Sequence, residues 1–257
     1  MILKIIRMSN VPCRMSNLQL PMSKLTVFPS GSWFPKAVFL LMPLLTTCHW
    51  LCAQKDNAAL IADVENKLMN HTVTISQVLT NKDYEQLHPE TGFRELIKKY
   101  AATGTTDIAP ANEPGKKIKI MVFLKDKNGQ PLGGVVVYLY QTDARGWYAA
   151  DAPHVLMNEG DRKHARLFGY VKTDKNGQFE IHTIKPSGYP QSDLPAHIHI
   201  EINGDTNGNK ITELLFDDDE RLKGTIRTNA EREGYFIAKP ETSQAPYIQQ
   251  FTYALKL

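Results

Sequence analysis

From Lys117 to the last residue the chain is a succession of short strand-like runs with turn residues between them, and no alternation of strand and helix interrupts it. Residues 118–124 are apolar and end at Asp126-Lys-Asn128-Gly129, a hairpin signal. Residues 135–140, Val-Val-Val-Tyr-Leu-Tyr, are rich in β-formers. A second Asp-Lys-Asn-Gly turn, 174–177, precedes a run at 179–184, and further runs follow at 196–203 and 211–216. At the C-terminus Phe251, Tyr253, Leu255 and Leu257 alternate with more polar residues, the period of a half-buried strand. Strands joined by turns, without helical crossovers, predict a mainly β fold: an antiparallel β-sandwich core.

The segment before it has a different period. Leu60, Ile61, Val64 and Leu68 recur at helical spacing, as do Phe93, Leu96, Ile97 and Tyr100. The second stripe is expected to stop near Gly104, as a glycine at a helix C-terminus would stop it. Residues 107–116 turn to Pro, Gly, Asn and charge and read as a connector. The chain thus divides into a leader (1–53), a helical extension and connector (54–110) and a β-sandwich domain (111–257). The apolar stripes of the extension would pack on the sandwich or join two copies of the chain in a homo-oligomer.

Charge separates the leader from the rest. Lys4, Arg7, Arg14, Lys24 and Lys36 are five of the 30 basic side chains, and residues 1–53 hold no acid, which leaves 25 basic against 27 acidic beyond them. Bulk charge therefore gives no case for nucleic-acid binding. All three cysteines, Cys13, Cys48 and Cys52, also lie in this leader, so the remainder must work without thiolates or disulfides. The run 37–45 after Lys36, followed by Cys52-Ala53-Gln54, fits a signal-peptide core with cleavage after Ala53 and is short for a membrane span. Met22 gives a start with normal signal-peptide proportions. Leu45-Thr-Thr-Cys48 gives a second export route, by lipidation, and the only membrane association expected. Either way the protein is expected outside the cytoplasm, periplasmic or secreted.

The chemistry concentrates at 183–202. In a strand, residues i and i+2 share a face, so His197 and His199 project together while Ile198, Ile200 and Ile202 pack behind them. Two imidazoles on one face are half of a metal site. Tyr189 lies in Gly188-Tyr-Pro190 just before the pair, and Tyr148 sits in a loop at the end of Thr142-Asp-Ala-Arg-Gly146-Trp-Tyr148. Two tyrosines with two histidines suggest ferric iron. Fe(III) is a hard acid that favours anionic oxygen and readily ionises a phenol of ordinary pKa about 10, whereas Zn(II) takes His, Cys and carboxylate.

Residues 117 to about 222, some two-fifths of the chain, resemble the intradiol ring-cleavage dioxygenases, the catechol and protocatechuate group. The matching segments run in order through Gly129-Gln-Pro-Leu-Gly-Gly-Val, Tyr140-Gln-Thr-Asp-Ala-Arg-Gly-Trp-Tyr148, Phe168-Gly-Tyr-Val-Lys-Thr-Asp174-Lys-Asn-Gly, Thr183-Ile-Lys-Pro-Ser-Gly-Tyr-Pro190 and Pro195-Ala-His-Ile-His199. The resemblance implies a β-sandwich, a non-haem Fe(III) cofactor, and cleavage of a catechol by O2 to a muconate-type diacid. By the same resemblance Tyr148 matches the tyrosine ligand that stays on the metal. Tyr189 matches the axial one that leaves when substrate binds and accepts a proton. His197 and His199 match the two histidine ligands.

The chain departs from the family at one place. Many members carry an arginine three residues before the first histidine ligand, where it stabilises charge on the substrate; here that residue is Leu194. Arg145, Arg162, Lys163 and Arg166 are the nearby cations that could replace it, although each reads first as a surface charge. His154, His164 and His182 lie outside the matched positions and read as structural or exposed, and Asp217-Asp-Asp-Glu220 reads as a solvated acidic turn. The turn motifs also mark transthyretin-like and carboxypeptidase-regulatory-like sandwiches, which are binding or spacer modules. The four-residue ligand set distinguishes the enzyme from these, and no placed carboxylate or nucleophile accompanies the histidine pair to make a zinc hydrolase.

Overall fold

The computed structural model describes residues 56–149, 160–204 and 208–257. The expected leader with its apolar run, all three cysteines and His154 lie outside the described residues. Among the described residues no helix is long and apolar enough to cross a membrane.

The two helical stripes form as their spacing requires. Residues 56–69 are helical (α1) and bury Val64 and Leu68. Helix α2, Ile75–Thr80, is started by a capping box in which Thr74 and Gln77 bond each other's backbone. Helix α3, Thr91–Lys99, buries Phe93, Leu96 and Ile97. These residues join the same apolar cluster as the strands, so the extension packs on the chain's own core.

Gly104 does not end a helix. It stands at φ +87° between β1 (Ala102–Thr103) and β2 (Thr105–Asp107), strands that belong to different sheets. A left-handed backbone, which glycine adopts without steric cost, lets the chain step between sheets within one residue. The spacing of the stripe is thus correct, but the helix stops a turn earlier.

The remaining strands are β3 (Lys117–Lys125), β4 (Val136–Gln141), β5 (Leu167–Lys172), β6 (Gln178–Ile184), β7 (His197–Gly204), β8 (Gly208–Phe216), β9 (Phe236–Ala238), β10 (Glu241–Thr242) and β11 (Gln249–Lys256). Short helices α4 (Gly160–His164) and α5 (Gly224–Arg232) intervene. One sheet runs β1-β5-β4-β7-β8-β9 and the other β10-β11-β3-β6-β2. The fold is the mainly β sandwich expected, with helices leading into it. Its sheets are mixed: β4, β5, β7 and β8 pair antiparallel, as do β3 with β6 and β10 with β11, but β1/β5, β2/β6, β3/β11 and β8/β9 are parallel. The parallel partners are distant in sequence or joined through a helix, the long connections that parallel pairing requires.

The first Asp-Lys-Asn-Gly signal also takes a different role. It does not close a hairpin between sheet neighbours but turns the chain from β3 in one sheet to β4 in the other, and its repeat carries β5 back to β6. Both corners are built alike. Asp126 Oδ1 accepts from Asn128 and Gln130 N–H, Asp174 Oδ1 accepts from Asn176 and Gln178 N–H, and Gly129 and Gly177 take positive φ.

Register then sorts the faces. Ile198, Ile200 and Ile202 of β7 lie opposite Gln141, Leu139 and Val137 of β4, and all are buried against the second sheet's Ile118, Ile120, Val122, Phe179, Ile181 and Phe251. The opposite face carries His197, His199 and Glu201 with Tyr138 and Tyr140 as cross-strand neighbours. The end of this face away from the histidine pair is tied to the helical extension by Arg94 of α3. The Arg94 guanidinium donates to Tyr138 Oη (2.7 Å) and to the carbonyls of His88, Arg162 and Ala165, and lies over the Phe168 ring.

Candidate metal centre

Two loops and one strand bring four donor atoms together. Tyr148 leaves β4 through a turn in which Asp143 Oδ1 accepts from Arg145 and Trp147 N–H and Gly146 takes φ +83°. Tyr189 lies between β6 and β7. The loops are stitched side by side: Thr142 Oγ1 donates to the Ser187 carbonyl (2.6 Å), and Ser187 donates from N to Asp143 O and from Oγ to Ala144 O. Their closest approach is at two glycines. A Cβ on Gly146 would lie inside 3.0 Å of the Gly188 carbonyl oxygen, so only glycine allows this contact.

The result is a closed ring of donors. His197 Nε2 is 3.1 Å from His199 Nε2, which is 2.8 Å from Tyr148 Oη; Tyr148 Oη is 2.9 Å from Tyr189 Oη, and this returns to His197 Nε2 at 3.3 Å. All four residues singled out in the sequence are therefore in one place. Tyr148 is 1% exposed and His197 6%, whereas Tyr189 is partly exposed and His199 keeps 17% of its side chain accessible. The ring is sealed at Tyr148 and open beside Tyr189.

The protonation of the ring can be read from its outer partners. His197 Nδ1 is 2.8 Å from the Pro195 carbonyl, which can only accept, so Nδ1 carries the proton and Nε2 presents its lone pair inward. His199 turns Nδ1 toward the Glu213 carboxylate at 3.6 Å, across the β7–β8 pair, and presents Nε2. Burial pushes the His199 imidazole well below its ordinary range, so it stays neutral. Tyr140 stacks on its flat face, with ring centroids 4.4 Å apart at 13°.

The two phenol hydroxyls can each donate to an imidazole lone pair, but His197 Nε2 and His199 Nε2 then still face each other at 3.1 Å with no proton between them, a repulsive contact that a cation held among the four donors removes. The residues present thus fit a ferric ion: two imidazoles that turn Nε2 inward, two ionisable oxygens, and a carboxylate and a carbonyl behind the rings to orient them. His197, His199 and Glu213 are also the residues of metal-ligating type whose ligand atoms fall within 4.8 Å of one another among the described residues. Glu213 corrects the expectation that no carboxylate accompanies the histidine pair. A signal was present, because folding β7 onto β8 about the Gly204↔Gly208 pair places Glu213 opposite His199.

The substitute cations are engaged elsewhere. Arg145 pairs with Asp143 (2.7 Å), Arg166 makes a two-pronged pair with Glu113, and Arg162 pairs with Glu201. Lys163 and His164 stand with Arg94 around a cavity on the far side of Tyr138. His182 is held between Asp107 and Glu180 on the other sheet. The acidic turn is more engaged than expected: Asp217 pairs with Arg227, Asp218 with Lys185, and Asp219 accepts from Ala196 N–H at the start of the histidine strand. The guanidinium that touches the Tyr189 loop is Arg221, which donates to the carbonyls of Tyr189 (2.9 Å) and Leu194 (3.3 Å). The sequence reading missed it because it stands beyond a turn read only as solvated. Leu194 itself is 48% exposed.

Comparisons with known proteins find dioxygenases. A family model described as Dioxygenase matches residues 97–257. A chlorocatechol 1,2-dioxygenase of Rhodococcus opacus is 30% identical over 129 residues, covering 44% of this chain and 48% of that protein. A protocatechuate 3,4-dioxygenase beta chain of Burkholderia cepacia is 28% identical over 161 residues, covering 58% of this chain and 62% of the relative. The chain therefore spans about half to three-fifths of the length of these curated relatives. Among solved structures, a mercury-inhibited catechol 1,2-dioxygenase from Acinetobacter sp. superposes with TM-score 0.49 at 16% identity, covering 89% of this chain and 87% of that one.

Proposed function

The chain belongs to the intradiol ring-cleavage dioxygenase family, and on that premise we propose that it opens a catechol-type ring with O2, using non-haem Fe(III) held by Tyr148, Tyr189, His197 and His199. The observation that supports this is the closed ring of two phenol oxygens and two imidazole nitrogens, with neighbouring atoms 2.8 to 3.3 Å apart. A transthyretin-like or carboxypeptidase-regulatory-like spacer has no need to hold such a set.

Ferric iron bound there would supply Lewis-acid chemistry, drawing electron density from a chelated catechol so that its ring reacts with O2 and yields a muconate-type diacid. The protein's part follows from the donors' surroundings. His197 and His199 are held in orientation by the Pro195 carbonyl and the Glu213 carboxylate that face their outer nitrogens. Tyr148, sealed in the core, remains a fixed ligand. Tyr189, on the open side, would be the ligand able to swing aside for substrate, with its Oη placed to accept a proton from a catechol hydroxyl. Leu194 leaves the mouth of the site without the family's usual permanent charge. The leader extends the proposal to an exported enzyme that meets environmental phenolics before uptake.

The test is spectroscopic. The full chain loaded with ferric iron is expected to be red to burgundy from tyrosinate-to-iron charge transfer, and adding catechol changes the colour. Tyr148→Phe, His197→Ala and His199→Ala should each lower iron content and remove the band. Tyr189→Phe should keep iron better than activity. A full-strength band in any of the first three variants would remove that residue from the site.

A further inference from the structure

The turn after β8 grips the loop of the exchanging tyrosine at three points. Asp219 Oδ2 accepts from Ala196 N–H (3.0 Å), and Arg221 Nη1 bridges the carbonyls of Tyr189 and Leu194. One guanidinium nitrogen thus closes residues 189–194 into a loop across its base. Ser192 tightens the same loop: its N–H donates to the Tyr189 carbonyl and its Oγ accepts from Leu194 N–H. The guanidinium lies across Gly188, where a Cβ would come within 2.5 Å of Nη1, so the missing side chain there makes room for it. Asp219 Oδ1 in turn accepts from the Arg221 backbone N–H (2.8 Å), fixing where the arginine side chain departs. The turn is carried by β8, the partner of the histidine strand, and so refers the Tyr189 backbone to the same sheet that holds His197 and His199.

We propose that Arg221 is a positioning residue for Tyr189: it anchors the backbone of this loop to the histidine sheet, so that the tyrosine exchanges by swinging its side chain while residues 189–196 stay in place. This rests on the reading of Tyr189 as the exchanging ligand. Arg221 supplies two charge-assisted bonds to carbonyls on either side of that swing. A tyrosine on an anchored backbone returns to one geometry after each turnover; on a loose loop it would not.

The experiment uses the full chain as wild type, Arg221→Gln and Arg221→Lys, each also combined with Tyr189→Phe. In the metal-free proteins, amide hydrogen exchange across 189–196 should rise about tenfold or more in Arg221→Gln, with Arg221→Lys between it and wild type. In the ferric proteins, Arg221→Gln should shift the tyrosinate band and change the rate at which the band responds to 4-nitrocatechol by about tenfold. It should do neither in the Tyr189→Phe background, because its effect passes through Tyr189. Unchanged exchange in Arg221→Gln, or an equal spectral effect with Tyr189 absent, would overturn the assignment. A wild-type protein without any ferric-tyrosinate band would instead defeat the metal reading and leave the exchange measurement to decide whether Arg221 anchors the loop. If Arg221→Gln does not fold, loss of the band response in folded Arg221→Lys, without change in the Tyr189→Phe background, still supports the proposal, and a wild-type response there opposes it.

Discussion

Substituting Gly146 by alanine should separate the two tyrosine loops, and the structure allows the cost to be divided. Gly146 sits at φ +83°, where a Cβ clashes with its own backbone and costs about 1–2 kcal/mol. Its Cβ would also press inside 3.0 Å of the Gly188 carbonyl oxygen and reach 3.1 Å from Pro190 Cδ, so the Tyr189 loop must retreat by more than half an ångström. Overpacking of this kind adds about 1–3 kcal/mol. Gly129 is the control: its φ is +84°, but a Cβ there meets nothing within 4 Å, so Gly129→Ala carries the backbone cost alone. For a domain of this size each kcal/mol lowers Tm by about 2–4 °C. Gly146→Ala should therefore melt roughly 4–20 °C below wild type and Gly129→Ala roughly 2–8 °C below it. Because the retreat pulls Tyr189 Oη from Tyr148 Oη, Gly146→Ala should also lose iron and weaken the visible band, whereas Gly129→Ala keeps both. Thermal melts with iron analysis on the same samples decide it. Equal Tm losses in the two variants, with a full band in Gly146→Ala, would refute the idea that this backbone contact brings the tyrosines together.

Leu194 is half exposed, so Leu194→Arg should fold with little change in Tm; if the missing charge limits ring opening, single-turnover rates with simple catechols should rise about tenfold, equivalent to about 1.4 kcal/mol of transition-state stabilisation, and an unchanged rate with intact iron would show that it does not. His182 makes a pH-dependent contribution. Partial burial of its ring lowers its pKa, but hydrogen bonds to Asp107 (2.7 Å) and Glu180 (2.6 Å) outweigh this and raise it above the ordinary 6.5, with Lys119 on the far side of Glu180 and the Tyr247 ring tilted against it. A raised pKa stabilises fully below the unfolded value near 6.5 and is lost as pH climbs through the folded value. His182→Gln should cost roughly 1 kcal/mol at pH 6, moderated by the exposure of Asp107, and less at pH 9, as measured by denaturant unfolding; a pH-independent cost would remove the charge from the account.

Period was legible without coordinates because it is local. The two-residue alternation at His197 and His199 already placed both imidazoles on one face, and the isoleucines between them placed the opposite face in the core. The helical stripes likewise named Val64, Leu68, Phe93, Leu96 and Ile97, which are buried, with Leu60, Ile61 and Tyr100 half-buried against the same core. Residue chemistry carried the metal hypothesis, since two phenols beside two imidazoles match a hard trivalent cation, and motif order tied Tyr148 and Tyr189 to that strand. Distance in space was not legible. Asp-Lys-Asn-Gly specifies a tight turn through its Asp acceptor and its positive-φ glycine, but whether the chain then rejoins its own sheet or crosses to the other depends on which face the next strand must bury. Gly104 showed that a left-handed residue was needed, not that two sheets would meet there. The contact of Gly146 with Gly188, the pairing of Glu213 with His199, and the reach of Arg221 to Tyr189 and Leu194 join residues 14 to 42 positions apart in the chain, and no local period encodes them. Donor identity is a property of side chains and could be read in order along the chain; donor geometry is set by how two loops and a strand pack, and only the tertiary structure decided that.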